Sequence, residues 1–188
     1  SDCQRFIFHT EAQNSMYVKT VGRSLLRDGM ARGKKWHFMT ADYAFGHALE
    51  RDTTNFVKAA GGKVLGGVRT PFPGTSDFSS FLVQAQASRA KVIGLANAGA
   101  DTINSVKQAA EFGLTRRGTK LAALLMFIDD VHGLGLQTAQ GLVMTESFYW
   151  DLNDGTREWS KRFAERNGGA MPTMVQAGVY SSVLHYLK

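Results

Sequence analysis

Runs rich in β-branched and aromatic residues recur along this chain at a nearly constant interval, and that interval constrains the fold more than any other feature. Trp36–Thr40, Lys63–Arg69, Val92–Leu95 and Ala122–Phe127 start 27, 29 and 30 residues apart, with similar runs at Phe6–His9 and Leu142–Glu146. Helix-like stretches alternate with them. Tyr17, Val21 and Leu25 step by four, Leu49, Phe56, Val57 and Ala60 form one apolar face before Gly61-Gly62, and Ile103, Val106, Ala109 and Ala110 follow Asp101. A strand, a crossover helix and a turn take about 30 residues, because parallel neighbours need a long return connection. The runs Val92-Ile93-Gly94-Leu95 and Leu121 to Ile128 are continuously apolar rather than alternating, which predicts strands covered by helices on both faces. The expected fold class is therefore α/β, a Rossmann-like parallel sheet flanked by helices. In such a sheet the loops after the strands' carboxyl ends form the ligand crevice, here Ala41–Phe45, Asn97–Gly99 and Asp129–His132.

Composition narrows the chemistry. The chain has 188 residues, 44% hydrophobic and 20% charged, enough to bury a core. No run of 18 apolar residues occurs. The one cysteine, Cys3, rules out an intrachain disulfide and any CxxC metal or redox pattern. The whole net charge of +6 falls in residues 1–94, but Arg23, Arg27, Arg32, Lys34 and Lys35 sit at helix surfaces and ends, and no nucleic-acid motif accompanies them. No nucleic-acid partner is expected. No basic-then-apolar leader precedes Asp2, so a secretory signal is expected to lie outside this sequence.

No GxSxG elbow, HExxH, P-loop or EF-hand loop is present, and Gly133-Leu134-Gly135 lacks the third glycine of a dinucleotide turn. Neither a catalytic residue, a metal site nor a cofactor is expected. The best enzyme-like constellation is Asp129-Asp130-Val131-His132, where two acids and a histidine could hold a metal or act as acid and base in a Rossmann-like enzyme. Its alternative is one acid facing the crevice, one capping the next turn, and His132 at the surface. Tyr43 and Phe45 could wall a small ligand or pack in the core. Asn97-Ala98-Gly99 could let a ligand approach backbone N–H groups or be a plain turn. Phe148-Tyr149-Trp150 could pack in a core or hinge, or stack on a ligand.

Several segments taken together resemble the periplasmic solute-binding proteins of branched-chain amino acid ABC transporters, the type I periplasmic-binding fold. The resemblance is carried by Thr40-Ala41-Asp42-Tyr43-Ala44-Phe45-Gly46-His47, by Gly74-Thr75-Ser76-Asp77-Phe78, and by the run from Lys91-Val92-Ile93-Gly94 through Asn97-Ala98-Gly99-Ala100-Asp101 to Gly113. Glu146-Ser147-Phe148-Tyr149-Trp150-Asp151 resembles the segment that crosses between lobes, and Pro172 to Tyr180 resembles the returning helix.

The resemblance implies two lobes closing on a ligand, of which this chain covers mainly the second. Residues 1–34 would end the first lobe, 35–147 form the second, 148–171 be a crossover with a short helix, and 172–188 the helix returning to the first. It places Phe45, Asn97, Ala98, Asp129 and Gln176 at the ligand, beside Tyr43 as the candidate read from its position after the strand, with Asp129 (or, shifted one place, Asp130) paired to an ammonium group. Relatives that take aliphatic amino acids often carry a tyrosine at Asn97 or Ala98. Its absence here leaves room for a bulkier ligand, such as an aromatic acid. The implied partners are a small-molecule ligand and the membrane permease of an ABC transporter, in the periplasm. A sensory domain of the same fold is the alternative.

Overall fold

The computed structural model describes residues 14–188, so Cys3 and the predicted strand Phe6–His9 lie outside the described residues. The described chain falls into two units, residues 14–145 and 146–188.

In the first unit, α1 (Asn14–Arg27), β1 (Lys35–Ala41), α2 (Ala44–Ala59), β2 (Lys63–Thr70), α3 (Ser79–Ala87), β3 (Val92–Ala96), α4 (Ala100–Glu111), β4 (Lys120–Ala123) and α5 (Ile128–Leu134) alternate as the spacing predicts. The strands pair in the order β2-β1-β3-β4, all parallel. Apart from Lys35, every residue of β1 and β3 is buried, which explains their continuous apolar sequence. β2, on the edge, is mostly exposed and carries Lys63 and Arg69, charges that discourage further strand pairing.

Alternation along β1 sends side chains to two separate layers. Trp36 and Phe38 join Val18, Val21 and Leu25 of α1 and Leu49 and Val57 of α2. Met39 joins Ile93 and Leu95 of β3, Leu82 of α3 and Val106 of α4 on the opposite face. Trp36 is fully buried, yet its indole N–H donates to the Met30 carbonyl at 2.9 Å, so no polar atom is stranded. Gly94 makes room for the Phe38 ring, since a Cβ there would stand 2.6 Å from it. Glu50 of α2 accepts from Thr40 Oγ1 at 2.7 Å and pairs with Arg69, two residues that are themselves register partners, so α2 is fixed over the β1–β2 seam.

Two expectations are corrected. The apolar run Leu121–Ile128 pairs only as far as Ala123; Leu124 makes one last bond to the Leu95 carbonyl at 3.2 Å, and α5 begins at Ile128. Leu142–Glu146 forms a single parallel bridge, Val143 to Ala122, rather than a strand, its residues being only half buried. α1 shares its apolar face with α2 and the sheet.

The second unit contains α6 (Asp154–Arg166) and α7 (Met174–Tyr186). Both start with reciprocal caps: Asn153 with Thr156, and Thr173 with Gln176. Trp159 lies among Phe148, Tyr180 and Phe163, with ring centroids 5.4, 5.2 and 5.8 Å away. Phe148 therefore packs within this unit.

Candidate ligand crevice

A parallel sheet delivers every strand end to the same side, and in the order β2-β1-β3-β4 the chain reverses direction of travel between β1 and β3. In open parallel sheets ligands bind outside such a point, between the loops leaving two adjacent strands in opposite senses. Thr40 and Ala96 are paired there, next to the strand ends. Gly46, in the first turn of α2, presses against the carbonyls of Ala41 and Ala96; a Cβ would sit 3.0 Å from the latter and closer still to the former. Only glycine lets α2 begin so near the seam, and this close approach sets the position of Tyr43 and Phe45.

Tyr43 is the N-cap of α2, in extended conformation and half-buried, and Phe45 follows two residues later. Their rings are 5.7 Å apart. Phe45 also packs against the Trp36–Phe38 layer. Tyr43 stacks almost flat on Phe72, with centroids 4.2 Å apart and planes 10° from parallel. Phe72, 42% exposed, comes from the β2–α3 loop and was missed in the sequence. The signal available was an aromatic residue set between turn-formers, Pro71-Phe72-Pro73-Gly74.

Across the seam, Asn97 is fully buried and its amide is committed: Nδ2 donates to Ser105 Oγ at 3.1 Å, and Oδ1 accepts from Thr102 Oγ1 at 2.9 Å. Its side chain thus braces the first turns of α4 instead of pointing outward. Ala98 is half-buried and leads to Gly99, whose φ of +57° suits a residue without Cβ. Neither the N-cap residue of α2 nor that of α4 makes a side-chain cap bond.

The two acids of α5 divide their roles. Asp130 is buried, and its Oδ2 accepts from the Phe127 N–H at 2.9 Å; burial, with some help from Asp129, raises its pKa against the effect of that bond. Asp129 is exposed, as is His132. Among the described residues no group of three or more His, Cys, Asp or Glu is gathered to hold a metal, and no helix is long and apolar enough to cross a membrane. Gln176 belongs to the other unit, where its Oε1 accepts from the Thr173 N–H at 2.9 Å and closes the cap of α7.

A second residue went unread. Asp101, in the first turn of α4, is 6% exposed, and its Oδ2 is buried without a hydrogen-bond partner among the described residues. Burial raises its pKa. Its charge in turn adds to the effect of burial in raising the pKa of the Tyr43 phenol. Tyr43, Phe45, Ala98 and Asp101 thus follow the carboxyl ends of β1 and β3, Phe72 stacks on Tyr43, and Asp129 lies in the first turn of α5.

A model of the periplasmic binding protein family matches residues 1–188. A periplasmic binding protein from Burkholderia mallei is 52% identical with a TM-score of 0.91, over 98% of this chain and 48% of its own. A branched chain amino acid ABC transporter periplasmic ligand-binding protein from Burkholderia xenovorans LB400 is 40% identical with a TM-score of 0.81, over 95% and 46%. The chain therefore spans about half the length of these solved structures. A search of curated proteins finds no match. With the match running from end to end and the same parallel sheet and flanking helices underneath it, the chain belongs to the periplasmic binding protein family and has the α/β architecture of the type I periplasmic-binding fold.

Proposed function

We propose that this protein is the extracytoplasmic ligand-binding component of an ABC importer, which captures an amino acid or a small aromatic organic acid between two lobes, without converting it, and delivers it to a membrane permease. The observation that carries this reading is the cluster of Tyr43, Phe45 and Phe72 rings at the carboxyl end of the β1–β3 seam, beside helix starts that lack an N-cap side-chain bond. The second lobe would comprise α1 together with the sheet and helices as far as about residue 147, with 148–188 forming the crossover and the helix that returns to the first. Tyr43, Phe45 and Phe72 would offer rings to the ligand, Ala98 and Gly99 their backbone, and Asp129 its exposed carboxylate to an ammonium group. Asn97 would hold α4 in place, while Gln176 would keep only its amide N–H groups free for a ligand.

Two solved proteins of this fold, 20% and 23% identical, are in complex with 3,4-dihydroxy benzoic acid and p-hydroxybenzoic acid, which makes benzoates reasonable probes beside amino acids. A thermal-shift panel of both classes on the intact protein tests the reading. A ligand at 100 times its dissociation constant contributes about 2.7 kcal/mol to stability. Should an amino acid bind, Asp129→Asn is expected to weaken it by about 1.5–3 kcal/mol, the cost of a lost charged hydrogen bond. No stabilisation by any panel member would remove the proposed function.

A further inference from the structure

Every strand of the sheet starts at a lysine: Lys63 on β2, Lys35 on β1, Lys91 just before β3, and Lys120 on β4. Their backbones are joined across the sheet. Lys35 and Lys63 are register partners, Lys91 N–H donates to the Lys35 carbonyl at 2.8 Å, and Lys120 N–H donates to the Lys91 carbonyl at 2.9 Å. With neighbouring strands about 4.8 Å apart, the four lysines form a level row roughly 14 Å long. All four are exposed, and none makes an ion pair among the described residues. Lys34, Arg89, Arg116 and Arg117, in the turns that feed the strands, are exposed and unpaired in the same way. The acids that share this end, at the carboxyl ends of helices, are Asp28, engaged with Arg27 at 3.2 Å, and Glu111.

Folding does not ask for this row. Helix dipoles favour cations at helix carboxyl ends, which accounts for Arg27 and Lys58 but not for residues on strands, since sheets have only small net dipoles. Edge protection accounts for Lys63 and Lys120 on the outer strands but not for Lys35 and Lys91 on the inner ones. Like charges directly across a strand pair are destabilising, so Lys35 beside Lys63 works against the sheet.

We propose that this amino edge of the sheet is a docking face for an anionic lipid bilayer, held by headgroup phosphates. Lysine is depleted in protein interfaces, where aromatic and arginine anchors dominate, and the exposed ring of Phe72 follows the other end of β2. A lysine is a compact, hydrated charge on a flexible stem, suited to a diffuse field rather than to bidentate contact with one partner. A level row of such charges matches a flat anionic surface, where each basic residue strengthens binding about fivefold. The loops at the carboxyl ends of the strands stay free to receive a small molecule, so this role goes beyond capture and stands or falls separately from it.

Co-sedimentation of the intact protein with phosphatidylcholine vesicles, with and without about 30% phosphatidylglycerol, is the test. Binding is expected to the anionic vesicles alone and should disappear at about 0.5 M salt, where screening is strong. The quadruple variant Lys35→Gln, Lys63→Gln, Lys91→Gln, Lys120→Gln should bind at least about tenfold more weakly. Lys161→Gln, Arg162→Gln, Arg166→Gln and Lys188→Gln together remove the same charge from the second unit and should weaken binding far less. Arginine at all four row positions should retain binding, which separates lost charge from lost folding. Equal binding to the two kinds of vesicle, or equal losses in the row and second-unit variants, overturns the proposal. Retention on immobilised polyglutamate without vesicle binding overturns it in favour of an acidic protein partner.

Discussion

His37 lies on β1 with only 8% of its surface exposed, and neither ring nitrogen finds a partner among the described residues. Burial lowers its pKa, outweighing the upward pull of Glu50. The unfolded imidazole takes its proton near pH 6.5, the folded one only at lower pH. Between those two values the unfolded chain binds more protons, so stability falls as pH drops through 6.5 and levels off below the folded value. Melting temperatures between pH 7.5 and 5 should show this loss, and His37→Leu should flatten it. Asp101 and Asp130 act in the opposite sense: their raised pKa values mean that protonation relieves strain at acid pH. These residues also mark the limit of what a sequence discloses. Tyr43, Phe45, Asn97 and Asp129 could be located from strand ends alone, because a parallel sheet fixes which loops meet. Phe72 and the orphaned oxygen of Asp101 could not, since stacking between loops and the lack of a donor are properties of the assembled tertiary structure.

Among the elements, those with both faces covered were the most legible. β1 and β3 stand where continuous apolar runs predict them, and the amphipathic helices between them fall in the expected intervals. Legibility fails at the β4 edge. Leu124 and Met126 are buried and apolar without being in a strand, because Leu124 packs into the Trp36 layer and Met126 into the opposite one with Leu134 of α5; hydrophobicity reports burial there, not ladder pairing. The cap of α6 offers a clean measurement at this scale. Asn153 Oδ1 accepts from the Thr156 N–H at 3.0 Å, so Asn153→Ala should cost about 0.5–2 kcal/mol in urea unfolding, whereas Asn153→Asp, which retains the acceptor and favours the helix dipole, should be close to neutral.

At the scale of the whole first unit, the sheet separates two apolar layers that share no side chains. Leu49→Ala in one layer should cost about 2–5 kcal/mol and Ile93→Val in the other about 0.5–1.5 kcal/mol. Because the sheet stands between them, the double variant should match the sum to within about 0.5 kcal/mol in chemical denaturation. The flat pairing of Tyr43 with Phe72 has a different kind of consequence. It joins two loops into one slab before any guest arrives, so part of the conformational entropy of capture has already been lost during folding. Association with a planar guest should then be quick to settle, with little loop reordering left to oppose it.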